Sequence, residues 1–318
     1  MTEIGAQGGR GAGERGSRDN DVSPAPLSPR PPAVVTIVGV GLMGGALGMA
    51  LRQRRLCREV IGVVRQPEQI DEAIRLGAID RGTTHLAAAV SEADLVVLAT
   101  PVRTILAQLG QIGPHLRPGA IVTDMGSTKS AIMQAMAGLP PHVQPVGSHP
   151  MCGKEVAGIG AAEPTLFQGA TWVVTPLERS AAWAVATVRG LAEAIGARSL
   201  TLEPDRHDRL VAAISHVPYL LAVALVAVAE EVGADDDRVW HLAASGFRDT
   251  SRLAASDVTM MLDILMTNPR YVTNLLRQVS AQAGELANLL IQAEEGRLCE
   301  ALERAARRRS QMYKPIGS

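Results

Sequence analysis

His149 lies in the run Gly147-Ser148-His149-Pro150-Met151 and is the side chain best suited to proton chemistry in this 318-residue chain. An imidazole titrates near neutrality, so it can take a proton from an alcohol while hydride leaves the same carbon. By itself, a histidine before proline reads equally well as a turn residue. Three other segments change that reading: the glycine loop Gly39-Val40-Gly41-Leu42-Met43-Gly44, the run Asp124-Met125-Gly126-Ser127-Thr128-Lys129, and the run Gly246-Phe247-Arg248-Asp249-Thr250-Ser251-Arg252.

The glycine loop fits the dinucleotide fingerprint, with an apolar strand before it and a helix opening after it. Gly39 makes the tight turn, Gly41 lets the backbone approach a pyrophosphate, and Gly44 lets helix and strand pack closely. The type of dinucleotide depends on the end of the second strand, where an acid usually bonds the ribose 2′-hydroxyl of NAD. Val64 stands there, followed by Arg65 and Gln66. A guanidinium grips a 2′-phosphate with paired charge-assisted bonds, so NADP is favoured over NAD. Thr100 and Pro101, at the end of a later strand, join Leu42, Met43 and the loop glycines as candidate cofactor contacts.

The elements that must position these groups follow from hydrophobic periodicity. Strands are predicted over Val34–Val38, Val60–Val64, Leu95–Thr100, Ile121–Asp124, Val143–Gly147 and Trp172–Thr175, separated by helical stretches. This is the pattern of a mostly parallel sheet with helices on both faces. After Pro204 only helices are predicted, over Asp205–Val232, Asp236–Ser245, Thr250–Met266, Pro269–Glu295 and Arg297–Arg309. Pro204 and Pro269 suit helix starts, and Gly233 and Gly296 suit stops. The fold class is therefore α/β: a Rossmann-type dinucleotide-binding domain over 33–203, then an all-helical dimerisation domain over 204–310. Tails of 1–32 and 311–318 flank them. The first is rich in Gly, Arg, Ser and Pro without an apolar run, so it reads as disordered and not as a signal peptide.

A net charge of −1 gives no electrostatic reason to expect nucleic acid or an anionic membrane as partner. Cys57, Cys152 and Cys299 are odd in number, far apart and without a CxxC, which fits free thiols in a reducing cytoplasm and no metal site. Leu210 to Ala229 is almost wholly apolar, yet His216 and Pro218 interrupt it and Glu230 and Glu231 follow. It reads as a helix buried in a domain core or subunit interface, not as a membrane span, and its apolar surface favours a homodimer. On a continuous helix, His207 and His216 are about half a turn out of phase at ~3.6 residues per turn. They then cannot share one pocket, which also speaks against a shared metal site.

With these segments in view, the chain resembles the prephenate and arogenate dehydrogenase family of tyrosine biosynthesis. The resemblance runs from about Val34 to about Asp263 and rests on Gly147–Met151, Asp124–Lys129, His207-Asp208, Ile214-Ser215-His216-Val217-Pro218 and Gly246–Arg252. It implies an NAD(P)-dependent oxidative decarboxylation of a cyclohexadienol, prephenate to 4-hydroxyphenylpyruvate or arogenate to tyrosine. His149 would then accept the hydroxyl proton, and Ser127 would hold His149 or the substrate hydroxyl, or else cap a helix. Arg252 would bind a substrate carboxylate, and His216 would add a polar contact in the pocket, which leaves the out-of-phase His207 structural. By the same resemblance, Arg248 and Asp249 would reach the site from a partner subunit, against the plainer reading of an exposed ion pair. Glu155 would lie near the pocket mouth.

Several positions depart from the family pattern. Tyr219 stands where some prephenate-using members have a second histidine, which leaves arogenate open as substrate. Met261 stands for a tryptophan, Lys154 for a small hydroxyl residue, and Cys152 for an alanine and is read as filler. The short segment after the last long apolar helix leaves no room for the regulatory domain of some relatives. Any feedback by tyrosine is therefore expected at the active site. Two rivals remain. A β-hydroxyacid dehydrogenase would need a lysine in the helical domain, but none occurs from Pro204 to Glu295. A redox sensor that holds NADP without turnover would leave His149, Ser127 and Arg252 without a purpose.

Overall fold

The computed structural model describes residues 31–154, 156 and 158–312. Residues 1–30 and 313–318 of the expected tails lie outside the described residues, and so does Glu155. Among the described residues, eight strands form one sheet in the order β3-β2-β1-β4-β5-β6-β7-β8. They are β1 (Val34–Val38), β2 (Glu59–Val63), β3 (Arg81–Thr83), β4 (Leu95–Leu98), β5 (Ile121–Asp124), β6 (Gln144–Pro150), β7 (Thr171–Pro176) and β8 (Arg198–Thr201). Every neighbouring pair is parallel except β6 and β7.

The central strands are apolar at consecutive positions because helices cover both faces of the sheet. On one side, Leu47, Met49 and Leu51 of the Leu42–Gln53 helix pack with Val188 and Ala192 of the Ala182–Ala194 helix. On the other, Ile105 and Leu109 of the Val102–Ile112 helix meet Ile132, Met133 and Met136 of the Ser130–Ala137 helix. Fully burying side chains of this size contributes roughly 1.5–3 kcal/mol each. The sheet order reverses direction between β1 and β4, which opens a crevice at their C-terminal ends.

β3 and β8 were not expected. Both are short and polar, and β8 is the largely exposed edge of the sheet, so neither carries an apolar run. The predicted strand at Val143–Gly147 continues to Pro150. Its second half pairs antiparallel with β7, setting His149 opposite Val173. His149 is therefore a strand residue, and the turn reading is corrected.

The helical domain begins at Pro204 and departs from expectation in three places. The long apolar helix is interrupted: Pro204–Val211 passes through a π-helical segment, Ala212–His216, into the Val217–Asp235 helix. Pro218 lacks the N–H that would bond the Ile214 carbonyl, a place where a helix widens readily. Neither predicted glycine stop is one, for Gly233 lies inside Val217–Asp235 and Gly296 inside Glu295–Met312. A Cβ at Gly233 would lie 2.8 Å from Trp240 Nε1, so close packing by the indole accounts for that glycine. The helix predicted over Thr250–Met266 is broken at Asp257, whose Oδ1 accepts from Met260 N at 2.7 Å and caps Val258–Thr267.

The stretch Pro204–Asp235 is long and apolar enough to cross a membrane by length and composition, but only 28% of its most apolar window is buried in the chain. Leu221, Val223, Leu225, Val228 and Val232 are exposed along it. Val217 and Ala222 are buried and Val217 joins Val272 in the domain core, but most of the apolar length beyond them is not covered by the chain.

Candidate active site

The crevice between β1 and β4 has the shape that the glycine loop predicts. Gly39 has φ +93°, and a Cβ there would lie 2.7 Å from Thr100 Cγ2 and 2.9 Å from the Ala99 carbonyl oxygen. A Cβ at Gly44 would lie 2.1 Å from the Gly39 carbonyl oxygen, so the helix cannot sit this close with any larger residue. At Gly41, the N-cap of the helix, a Cβ meets nothing within 4 Å, so there is open space where a pyrophosphate would approach. The Leu42–Gln53 helix has no side-chain cap and no acid in its first turn, so its N–H groups remain available to an anion. Leu42 and Met43 are half-buried there, and Pro101 starts the Val102–Ile112 helix. Thr100 Oγ1 donates to Gln108 Oε1 at 2.8 Å. Arg65 is exposed just beyond β2. The residues present fit a dinucleotide.

Beneath β6 is a buried polar network that sequence reasoning did not assemble. Lys129 and Asp124 are both fully buried and form an ion pair. Lys129 Nζ also donates to the Ser148 carbonyl at 2.8 Å, and the Ser148 amide donates to Asp124 Oδ1 at 3.0 Å. Burial pushes the Lys129 amine below its ordinary range, against the attraction of Asp124. This pair clamps the strand backbone immediately before His149.

His149 is half-buried at the C-terminal end of β6, on the sheet edge where the crevice opens. Its Nδ1 lies 2.9 Å from Nε2 of His207, and His207 Nδ1 lies 2.9 Å from Asp208 Oδ1. Asp208 is fixed in turn by the Lys129 amide at 2.7 Å and the Ser130 amide at 2.8 Å. Burial pushes the Asp208 carboxyl up, but hydrogen bonds from His207, Ser130 and Lys129 outweigh it and leave the group below its ordinary value. For His149, burial acts first, and repulsion of its protonated form by His207, Lys129 and His216, where these carry a proton, adds to it; together they hold the imidazole well below its usual range. It is therefore neutral at pH 7 and able to accept a proton.

His207 was expected to be structural and out of phase with His216. The π-helical segment between them adds roughly one residue to the turn and removes about 100° of that separation. Both rings are buried in one cluster, where Asn268 Nδ2 donates to the Asp208 carbonyl at 2.7 Å and lies 3.3 Å from His216 Nδ1. Burial pushes His216 down to about 4. The signal that could have found His207 was the His207-Asp208 pair itself, an imidazole next to its own acceptor.

Other candidates are placed less centrally. Ser127 is half-buried and caps no helix; the N-cap position belongs to Lys129. Among the described residues it makes no hydrogen bond to His149, whose Nδ1 goes to His207 instead. Tyr219 is half-buried in the first turn of Val217–Asp235. Arg252 is exposed at the start of the Arg252–Ala255 turn, which packs on that same helix. Arg248 Nε and Asp249 Oδ1 form an exposed ion pair at 3.2 Å and have no bond to the His149 network. Cys152 has its thiol pushed up to about 11 by burial, which leaves little thiolate and fits filler. Among the described residues no cluster of His, Cys, Asp and Glu could hold a metal ion.

A glycine-lined crevice at the C-terminal ends of β1 and β4, with His149 at the same end of β6 and a helical domain following in the chain, defines a two-domain protein of the dinucleotide-binding class. Residues 47–201 match the nucleotide-binding domain of prephenate dehydrogenase, and residues 203–304 match its dimerization domain. The chain belongs to the prephenate dehydrogenase family. It is 33% identical to a prephenate dehydrogenase of Bacillus subtilis over 74% of this chain and 64% of that protein. Its fold is similar to that of a prephenate dehydrogenase from A. aeolicus, solved with hydroxyphenyl propionate and NAD+. The TM-score is 0.83 at 30% identity, covering 88% of this chain and 98% of that one. An arogenate dehydrogenase from Synechocystis gives a TM-score of 0.76 at 30% identity, covering 88% and 100%.

Proposed function

We propose that this chain oxidises and decarboxylates a cyclohexadienol, prephenate or arogenate, with NADP favoured as hydride acceptor. The observation that carries this reading is a neutral His149 on the crevice edge of β6. A bound nicotinamide supplies the acceptor for the hydride on the hydroxyl-bearing ring carbon. His149 takes the hydroxyl proton, so the oxygen becomes a carbonyl as the hydride leaves. The bond to the ring carboxylate then breaks, its electrons move through the ring to the oxygen, carbon dioxide departs, and the resulting phenolate takes back the proton held by His149 to give the phenol. Aromatisation drives the reaction, so the protein has mainly to orient the ring and hold the proton acceptor.

Arg252 offers a planar fork for a substrate carboxylate. His216 and Tyr219 would line the pocket, with Ser127 toward the hydroxyl, Glu155 at its mouth, and Arg248 and Asp249 contributed by a partner. The exposed apolar face of Val217–Asp235 and the dimerization-domain match support a homodimer. A cytoplasmic location fits the three free thiols. The missing lysine speaks against a β-hydroxyacid dehydrogenase.

The test is the formation of reduced cofactor and of phenolic product, with prephenate and arogenate each paired with NAD and NADP. Turnover of neither substrate would remove the proposal. Arg65 sets the cofactor outcome: kcat/KM is expected to be higher with NADP. Arg65→Asp should lower the NADP value by roughly tenfold or more, the size of a lost bond to a charged group. A higher wild-type value with NAD would refute the role of Arg65. Arg252→Ala is expected to raise KM for substrate by about tenfold to a hundredfold and to leave KM for the dinucleotide nearly unchanged. The reverse ordering would refute the carboxylate assignment.

A further inference from the structure

We infer that His207 and Asp208 are positioning residues that set which nitrogen of His149 is the base, an inference that rests on His149 accepting the substrate proton. The two backbone amides on Asp208 come from consecutive residues, Lys129 and Ser130, at the start of the Ser130–Ala137 helix. They hold the side chain as an ionised acceptor, and an ionised carboxylate has no proton to give. His207 Nδ1, at 2.9 Å from it, must therefore be the donor. A neutral His207 then has its lone pair on Nε2, and that nitrogen is 2.9 Å from His149 Nδ1. His149 Nδ1 must carry a hydrogen in turn, which leaves its Nε2 unprotonated and free to face the substrate.

The direction of each bond is thus passed from two peptide amides, through a carboxylate and a ring, to the reacting nitrogen. His207 is 1% exposed, so no solvent competes for either of its nitrogens. The rings meet edge to face, with centroids 5.1 Å apart and planes at 68°, which lets the second ring point a lone pair at the first. The π-helical segment brings His216 to the same cluster without displacing His207. An orienting partner on the far nitrogen of a base is a recurring device: it fixes the tautomer and steadies the imidazolium that forms. Here that partner is a second imidazole. A doubly protonated His207 would reverse the bond to His149 and put a hydrogen on His149 Nε2.

Long-range 15N–1H spectra of the histidine rings separate these arrangements in the whole protein. The expected wild-type spectrum shows His149 neutral and protonated at Nδ1. His207→Phe removes the acceptor at similar ring size. It should shift His149 toward the Nε2-protonated form and lower kcat roughly tenfold to a hundredfold, with KM for the dinucleotide little changed. His207→Gln keeps an acceptor at the reach of Nε2 and should restore most of the lost kcat. A wild-type His149 protonated at Nε2 overturns the inference. So does a His207→Phe protein with unchanged kcat and spectrum. Should His207→Phe fail to fold, the wild-type spectrum decides alone. If His149→Asn keeps its turnover, the base assignment is what fails, because the tautomer is read without any substrate.

Discussion

His149→Asn is expected to lower kcat by a hundredfold or more, at the lower end or above what a general base contributes. Asparagine keeps a hydrogen-bonding group at the end of β6 but cannot hold a proton. KM for the dinucleotide should stay within about twofold, because the glycine loop and not β6 carries that binding. The pH profile gives a second readout on the wild type. A base works above its pKa and is lost as pH falls through it. Burial and the neighbouring charges hold His149 well below the ordinary imidazole value. The acid limb of kcat/KM should therefore fall below about pH 6.5. A limb at or above that pH, or near wild-type turnover in His149→Asn, would contradict the assignment.

Lys129→Met is expected to destabilise the protein by about 3–5 kcal/mol, the cost of leaving one buried charge without its partner. Asp124 would keep the Gly126 and Ser148 amides but lose its cation in a site with no solvent contact. For a domain of this size the loss corresponds to a fall of roughly 6–20 °C in Tm, read by thermal unfolding. Activity should fall as well, since Lys129 Nζ holds the Ser148 carbonyl one residue before His149. The double variant Asp124→Asn/Lys129→Met should recover part of the stability, because it removes both charges. A single variant with unchanged Tm would show that the pair does not clamp β6.

The parts legible in the sequence are those where one local rule governs. β4 is apolar throughout, and β1 and the first half of β5 nearly so, because both faces are covered, and the loop glycines declare themselves by spacing. Gly39 and Gly44 sit where a Cβ would strike Thr100 and the Gly39 carbonyl. β8 was missed because an exposed edge strand reading Arg-Ser-Leu-Thr has no hydrophobic demand to satisfy. The extension of β6 to Pro150 depends on pairing with β7, a contact between distant residues that no local pattern announces.

The site divides in the same way. His149 and Ser127 could be chosen from their runs, but the anchoring of His149 could not. It needs Asp208 to meet the Lys129 and Ser130 amides, some eighty residues away in the chain. It also needs a helix that leaves its regular period between His207 and His216. A phase argument on an ideal helix fails there for a physical reason: the widened turn changes which residues share a face. Asp124 and Lys129 show no role in their run, because their complete burial and their shared hold on Ser148 appear only once β5 and β6 lie side by side.

The most direct measurement is a crystal structure of the protein with dinucleotide and a substrate analogue bearing the ring hydroxyl. The expected result places His149 Nε2 within about 3.2 Å of that hydroxyl, with the ring carbon facing the nicotinamide and Nδ1 still on His207. An imidazole turned from the ring, with another group on the hydroxyl, would contradict it.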